Sequence, residues 1–247
     1  MNVRTAALVV VSIVVAGACI TLGIWQLDRR ADRRAFNSVL ARRLAAPPAP
    51  LSELPTDTGN AHYRRVVVDG EYDYSSEIVL TSRSRQGSPG VHILTPLVRR
   101  GNDTAVLVNR GWIYSPDGTT ADLKRWRETG AARGIGYVET FSSRKGAIRS
   151  PRQPRAFRWL DRTAMQSDFP YPIAPYYVVL LKASDRDTSG SIPPRLGVPI
   201  LDQGPHGSYA FQWFSFAAIS IIGMSLLMMR TRAQRATDTA ETRTPHE

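Results

Sequence analysis

The chain predicts a membrane protein in which an N-terminal and a C-terminal transmembrane helix flank a mainly antiparallel β extramembrane domain with one or two short helices. Three observations carry that prediction. Thr5–Leu27 and Gln203–Met229 hold no Asp, Glu, Lys or Arg, and each exceeds the roughly 20 residues a helix needs to cross a ~30 Å hydrocarbon layer. The stretch between them is polar and broken into short runs rich in Val, Ile, Leu and Tyr, the signature of strands rather than long helices. Those runs follow one another closely, so an antiparallel barrel or sandwich is expected.

In chain order, residues 1–5 read as a tail, 6–27 as the first span, 28–202 as the β-rich domain, 207–229 as the second span and 230–247 as a polar tail. Trp25 sits at the end of the first span, where an indole finds both apolar and polar neighbours. Asp28–Leu44 has helical potential. Ala45–Gly59 carries Pro47, Pro48, Pro50 and Pro55 and reads as a linker. Strands are expected over Arg64–Tyr72, Glu77–Ser82, Val91–Val98, Ala105–Tyr114, Ile135–Phe141 and Tyr176–Ala183, with a hairpin turn at Arg100-Gly101-Asn102-Asp103. Thr120–Thr129 and Arg162–Phe169 are expected to be helical, and Asp185–Val198 to be a surface loop.

Composition narrows the function. The net charge of +11 is mostly arginine and is clustered, first at Arg29, Arg30, Arg33, Arg34, Arg42 and Arg43, then at Arg144, Lys145, Arg149, Arg152, Arg155, Arg158 and Arg162. The first cluster adjoins a span, where phospholipid headgroups would meet it. No basic-aromatic RNA-binding pattern or DNA-reading helix accompanies the charge, so membrane lipids rather than nucleic acid are the expected partners, and a solvated face is expected for most of these residues. The lone Cys19 excludes an intramolecular disulfide and a multi-cysteine metal site. Ala16-Gly17-Ala18 before it resembles a lipoprotein cleavage site, but the apolar run continues through Ile20, Leu22, Ile24 and Trp25, as an uncleaved anchor requires.

Charge around the spans bears on topology. Arg230, Arg232 and Arg235 follow the second span, which puts that end in the cytoplasm by the positive-inside rule. The first span points the other way, with only Arg4 before it and six arginines after it. The asymmetry at the second span is cleaner, and long domains translocate despite their charge, so both termini are expected inside.

Walker, dinucleotide-binding, His-Glu-x-x-His and Gly-x-Ser-x-Gly signatures are all missing, which points away from an enzyme. Histidines occur only at His62, His92, His206 and His246. Three local patterns remain. Gly23-Ile24-Trp25-Gln26-Leu27-Asp28-Arg29-Arg30 marks the exit of the first span. Val106–Trp112 is a strand on which Val106, Val108, Arg110 and Trp112 are expected to share a face, so the guanidinium needs a carboxylate or an aromatic ring. Pro205–Trp213 places an imidazole one turn above the second span.

Together these patterns resemble the surfeit locus protein 1 family, membrane-bound assembly factors of cytochrome c oxidase. Gly23, Trp25, Gln26, Arg29 and Arg30 match its first motif. Tyr63-Arg64, Gly70, Tyr72, Thr95-Pro96-Leu97 and Leu107–Trp112 match its central stretch, and His206, Tyr209 and Trp213 its closing pattern. Asp28, Pro205 and Gly207 depart from it. The resemblance implies a two-pass protein of a bacterial plasma membrane with both termini cytoplasmic. It implies haem a as cofactor, insertion of that haem into oxidase subunit I, and subunit I and a haem a synthase as partners.

The resemblance also implies a site at the span ends. His206 would ligate the haem iron, Tyr209 and Trp213 would offer aromatic surface from the same helix face, and Trp25, Gln26, Arg29 and Arg30 would complete the pocket. The residues alone leave other roles open. These are a solvated interfacial histidine, tryptophans that anchor the helices, an amide bonding between helices, and arginines on headgroups rather than propionates. Two rival functions also stand beside haem delivery: a haem-independent scaffold for an oxidase assembly intermediate, and an extracytoplasmic hydrolase using His62 or His92.

Overall fold

Both terminal apolar runs form long helices in the computed structural model, which describes residues 3–55, 57–143, 149–182 and 192–241. Helix α1 covers Val3–Ala45 and α4, named last in chain order, covers His206–Glu241. Each is long and apolar enough to cross a membrane. The first helix does not stop at the charged residues after Leu27, because Ala, Leu and Arg are strong helix formers. It runs on until Pro47-Pro48 approaches. The chain divides into a helical unit, reaching to Ser38 and resuming at Leu201, and a β unit, Val39–Ile200.

Within the helical unit, the buried apolar residues are small: Ala16, Cys19, Ala210 and Ala217. Lipid tails are as apolar as any side chain, so helices in a bilayer associate where small residues admit close packing. Gly23 shows how tight this is, since a Cβ there would lie 2.7 Å from Cε1 of Phe214.

The β unit contains β1 (Ala49–Pro50), α2 (Thr58–Ala61), β2 (Arg65–Tyr72), β3 (Ile78–Leu80), β4 (Gly90–Arg99), β5 (Asn102–Tyr114), β6 (Ala132–Thr140), β7 (Arg149–Ser150), β8 (Gln153–Phe157), α3 (Arg162–Met165) and β9 (Ile173–Leu180). Neighbouring strands run β1-β2-β6-β9-β5-β4-β3-β8-β7. Strand β4 also returns to β2 through Glu71↔Val98 and Tyr72↔Leu97. That pairing closes β2, β6, β9, β5 and β4 into a five-stranded barrel. The third and fifth barrel strands, β5 and β9, run parallel and the other barrel pairs antiparallel. This is the Greek-key order of an OB-type barrel. Alternation fills the interior: Val66 and Val68 are buried while Val67 between them is 42% exposed, and Leu97, Val106, Val108, Val138 and Val178 complete the core.

Two excursions leave the barrel, one after β2 and one between β6 and β9. They clip together where β3 pairs in parallel with β8, Val79↔Ala156 and Leu80↔Phe157. Under the clip, Ile78, Leu80, Phe157, Leu160 and Met165 bury the outer face of β4 and β5 at Leu94 and Leu107.

All six expected strands are present with shifted ends, and the hairpin turns at Arg100-Gly101 between paired Arg99 and Asn102. The expected helix at Thr120–Thr129 is only a 3₁₀ turn at Lys124–Trp126. Just before it, the Asp117 carboxylate takes the N–H groups of Thr119 and Thr120, fixing a turn. Arg162–Phe169 divides into α3 and a 3₁₀ turn at Gln166–Asp168. Strands β1, β7 and β8 were not expected. Pro50 and Pro154 argue against strand, yet β1 is a sheet edge, where a missing N–H is tolerated, and Pro154 of β8 is in register with no residue of β3 or β7. Residues 185–191, half of the loop expected at Asp185–Val198, lie outside the described residues.

One face assignment is corrected. Asn109 pairs with Leu94 and Gly111 with Ile93, so Arg110 is an extra residue, a β-bulge. The bulge inverts the alternation beyond it. Val106, Val108 and Arg110 stay inside, but Ile113, not Trp112, joins Val79, Val91 and Ile93 in the inner cluster. Trp112 is turned away and donates its indole N–H to the Arg83 carbonyl at 2.7 Å. Gly111 permits this. Its φ is +147°, and a Cβ would lie 2.4 Å from the Pro194 carbonyl oxygen.

Arg110 finds the partners its burial demands. Its side chain has no solvent exposure, and its guanidinium donates to Glu77 at 2.8 Å, to Glu128 at 2.9 Å and to the Trp126 carbonyl. The rings of Tyr72 and Tyr74 lie 5.2 and 5.1 Å from it. Burial pushes the Glu77 carboxyl above its ordinary range, and Arg110 opposes that shift. Glu128 is held from its other side by Arg195 at 2.6 Å.

Candidate functional site

At the start of α4 the chain turns sharply. Asp202 accepts the Gly204 N–H at 3.0 Å, Gly204 takes φ +70°, and Pro205 leads directly into a helix whose first residue is His206. The Tyr209 N–H already reaches the Pro205 carbonyl at 3.1 Å. The helix therefore begins early enough to put His206, Tyr209 and Trp213 on one face, as their spacing of three and seven residues requires.

His206 Nδ1 lies 2.8 Å from Gln26 Oε1 on α1. A carbonyl oxygen only accepts, so Nδ1 donates the proton, and in the tautomer this selects the lone pair lies on Nε2. Among the described residues Nε2 has no hydrogen-bond partner. Gln26 is 9% exposed and, with Asn37, is one of two buried polar residues among the small buried apolar ones described in the helical unit, so the amide is a buried polar group satisfied by the second helix. The contact fixes the imidazole tautomer and ring plane, as the outer partners of metal-bound histidines do.

Other groups converge from the same face of α1. Gln26, Arg30, Arg33 and Asn37 are spaced four, seven and eleven residues apart and so form one stripe. Asn37 donates to the carbonyls of Leu201 and Asp202 at 3.2 and 3.0 Å, and Arg33 Nε to Asp202 at 3.1 Å. Arg34 Nε reaches Gln203 at 3.3 Å. The guanidinium of Arg30 lies over Gly207, whose missing side chain leaves room for it. A cleft of about 430 Å³ opens beside His206, lined by Arg29, Asp32, Arg33, Phe36 and Gln203 among others. On its wall Arg29 approaches Asp32 at 3.8 Å and Arg33 lies 5.6 Å from the Phe36 ring.

Of the residues expected at the site, His206 bonds Gln26 and shares its cleft with Arg29, while Arg30 lies beside Gly207. Trp25 and Tyr209 are 51% and 47% exposed and do not line the cleft. Trp213 is half-buried and packs edge-on against Phe216 at 6.0 Å. Arg33, Phe36, Asn37 and Gln203 were not anticipated. The stripe continuing from Gln26 was a legible signal for Arg33 and Asn37, whereas Phe36 and Gln203 had none.

The second basic cluster is more engaged than a solvated face. Arg149 makes a paired contact with Asp168 at 2.9 and 2.8 Å, Arg155 reaches the Ser75 carbonyl at 2.8 Å, and Arg162 the Ile173 carbonyl at 2.9 Å. Arg144 and Lys145 lie outside the described residues, as does His246. His62 contacts Glu139 at 2.7 Å. His92 lies within β4 beside Asn109 at 3.1 Å, and burial, helped by Arg83, pulls its pKa down to about 4.

The chain has relatives that it matches over most of its length. An uncharacterised SURF1-like protein of Mycobacterium tuberculosis is 27% identical over 242 residues, covering 88% of this chain and 81% of the relative. A SURF1-like protein of Monosiga brevicollis is 26% identical, with 81% and 79% covered. Surfeit locus protein 1 of Rattus norvegicus is 24% identical, with 85% and 72% covered. The model of the SURF1 family matches residues 13–218, which include both His206 and Gln26. With two membrane-length helices around a β domain and that match across most of its length, the chain belongs to the SURF1 family, a family of oxidase assembly factors rather than of catalysts.

Proposed function

We propose that this protein binds haem a between its two membrane-length helices and aids its insertion into subunit I of cytochrome c oxidase. The observation that carries the reading is the 2.8 Å contact from His206 Nδ1 to Gln26 Oε1, which leaves Nε2 open at a membrane-edge cleft. A neutral imidazole held through its other nitrogen is a common axial haem ligand. When bound, the haem would supply iron for that nitrogen and two propionates. Arg29, Arg30 and Arg33 supply the positive charge propionates need, and Gln26 holds the ring that would meet the iron.

In this reading the protein sits in the plasma membrane of a bacterium, with both termini cytoplasmic and the β domain outside. Subunit I receives the haem and a haem a synthase supplies it. Tyr209 and Trp213, sharing the face of His206, border the porphyrin on the lipid side, with Trp25 at the same level of the bilayer.

The test is the optical spectrum and haem content of protein purified from cells that make haem a. Wild type is expected to carry haem, His206→Ala to lose most of it, and Gln26→Leu to retain about tenfold less, the usual cost of removing a ligand's outer partner. Unchanged haem content and spectrum in His206→Ala would remove the histidine from the site. Colourless wild-type protein from cells rich in haem a would favour the scaffold. A deletion strain with normal oxidase activity would overturn the assembly role itself.

A further inference from the structure

A second cleft lies in the β unit, against the outer surface of the barrel, where the two excursions meet β6 and β9. It measures about 410 Å³, and its wall includes Thr81, Arg83, Thr140, Arg158, Trp159 and Tyr177. Loops in these positions flank the ligand face of OB-type barrels. The chemistry of the wall is one-sided. Two guanidinium groups face it, and among the described residues neither makes an ion pair with a carboxylate. The acids nearby are engaged elsewhere: Asp161 caps α3 through the Ala164 N–H, and Glu139 holds His62.

Arg83 is fixed for the purpose. Ser82 before it takes φ +58°. The Arg83 N–H reaches the Gly90 carbonyl at 2.9 Å, and its own carbonyl accepts the Trp112 indole N–H at 2.7 Å. One guanidinium nitrogen touches the Arg158 carbonyl at 3.3 Å, while Nε is buried without a hydrogen-bond partner. Burial and the charge of Arg158 both act against the Arg83 charge, and one donor is left unsatisfied. Such an arrangement is costly until an anion arrives. The hydroxyl groups of Thr81, Thr140 and Tyr177 make no hydrogen bond among the described residues. Two guanidinium groups and three hydroxyls offer more donors than a carboxylate's two oxygens can use.

We propose that this cleft is a phosphate-binding site, in which Arg83 and Arg158 grip a phosphate group and the hydroxyls of Thr81, Thr140 and Tyr177 complete its shell. The phosphate comes either free in solution or on a lipid headgroup. The site does not depend on the haem reading, since it uses no residue of the cleft at His206.

Inorganic phosphate titrated calorimetrically into the full chain in phosphatidylcholine nanodiscs is the test, repeated in nanodiscs that also contain phosphatidic acid. Saturable binding to wild type is expected, weakened about tenfold or more in Arg158→Gln and in Arg83→Gln, as loss of a charge-assisted contact implies. Tyr177→Phe is expected to weaken it less. Arg158 is exposed, so Arg158→Gln leaves the fold intact and remains informative if Arg83→Gln unfolds. Competition by phosphatidic acid would identify a headgroup as the source, and undiminished phosphate binding a soluble one. No saturable binding in phosphatidylcholine, or equal binding by wild type and Arg158→Gln, would overturn the proposal.

Discussion

Replacing Arg110 by Met tests the best-defined polar feature of the β unit. The guanidinium is fully buried and satisfies Glu77, Glu128 and the Trp126 carbonyl at once. Met keeps much of the volume but leaves Glu77, whose side chain is 2% exposed, facing only Thr95 at 3.0 Å and Arg127 at 3.6 Å. Stranding one member of a buried pair costs about 3–5 kcal/mol. For a unit of this size that is roughly 6–20 °C in unfolding midpoint. Glu128 keeps Arg195 and adds less. The pH dependence follows from Glu77. Burial already raises its folded pKa, and losing Arg110 raises it further. A carboxyl whose folded pKa exceeds its unfolded value stabilises the fold below the unfolded value, and that contribution is lost as pH rises through the folded one. The deficit of the variant is therefore greatest at neutral pH and smallest near pH 4, where Glu77 is protonated. Thermal unfolding of the full chain in detergent at the two pH values reads this, with Glu77→Gln combined with Arg110→Met recovering more than half the loss. A variant within 2 °C of wild type, or a double variant no better than the single, would refute the reasoning.

Two further outcomes are expected. Gly111→Ala should lose about 2–4 kcal/mol, because its φ of +147° is costly for a side chain and the new Cβ meets the Pro194 carbonyl; denaturant melts showing less than 1 kcal/mol would contradict the bulge geometry. His92 is held down to about pKa 4 by burial and by Arg83, so the folded form carries fewer protons than the unfolded one below about pH 6.5. Its contribution is present above the unfolded value and lost as pH falls through 4, roughly 3 kcal/mol in all. His92→Gln should flatten the stability profile between pH 6.5 and 4, and an unchanged slope would show that another group titrates.

The strands were legible because Val, Ile and Tyr alternate within runs bounded by Gly, Asn and Asp. Their order was not, since no local pattern says that β9 slips between β6 and β5. The misplaced Trp112 shows the limit clearly. Period-two alternation holds only while no residue is extra, and Gly111 hinted at a bulge without fixing its position. Prolines misled at β1 and β8, where an edge position or a position paired with neither neighbouring strand forgives them. At the candidate site, Gln26 and His206 were each visible as unusual residues at the end of an apolar run. Their contact across 180 residues of sequence was not, because pairing of two helices depends on small residues such as Ala210 and Gly23 that mark no particular partner.

The position of β9 has a consequence for how the chain comes to be made. The last barrel strand to be synthesised lies in the middle of the barrel, flanked by β6 on one side and β5 on the other. Until residue 180 has emerged, both of those strands present bare backbone, and the contacts that close the barrel span long stretches of sequence. Such topologies form slowly and are exposed to edge-to-edge association while they wait. A ribosome that stalls before Ile173 leaves an open sheet with two sticky margins, so a nonsense mutation anywhere upstream yields a product for proteolysis rather than a shortened factor.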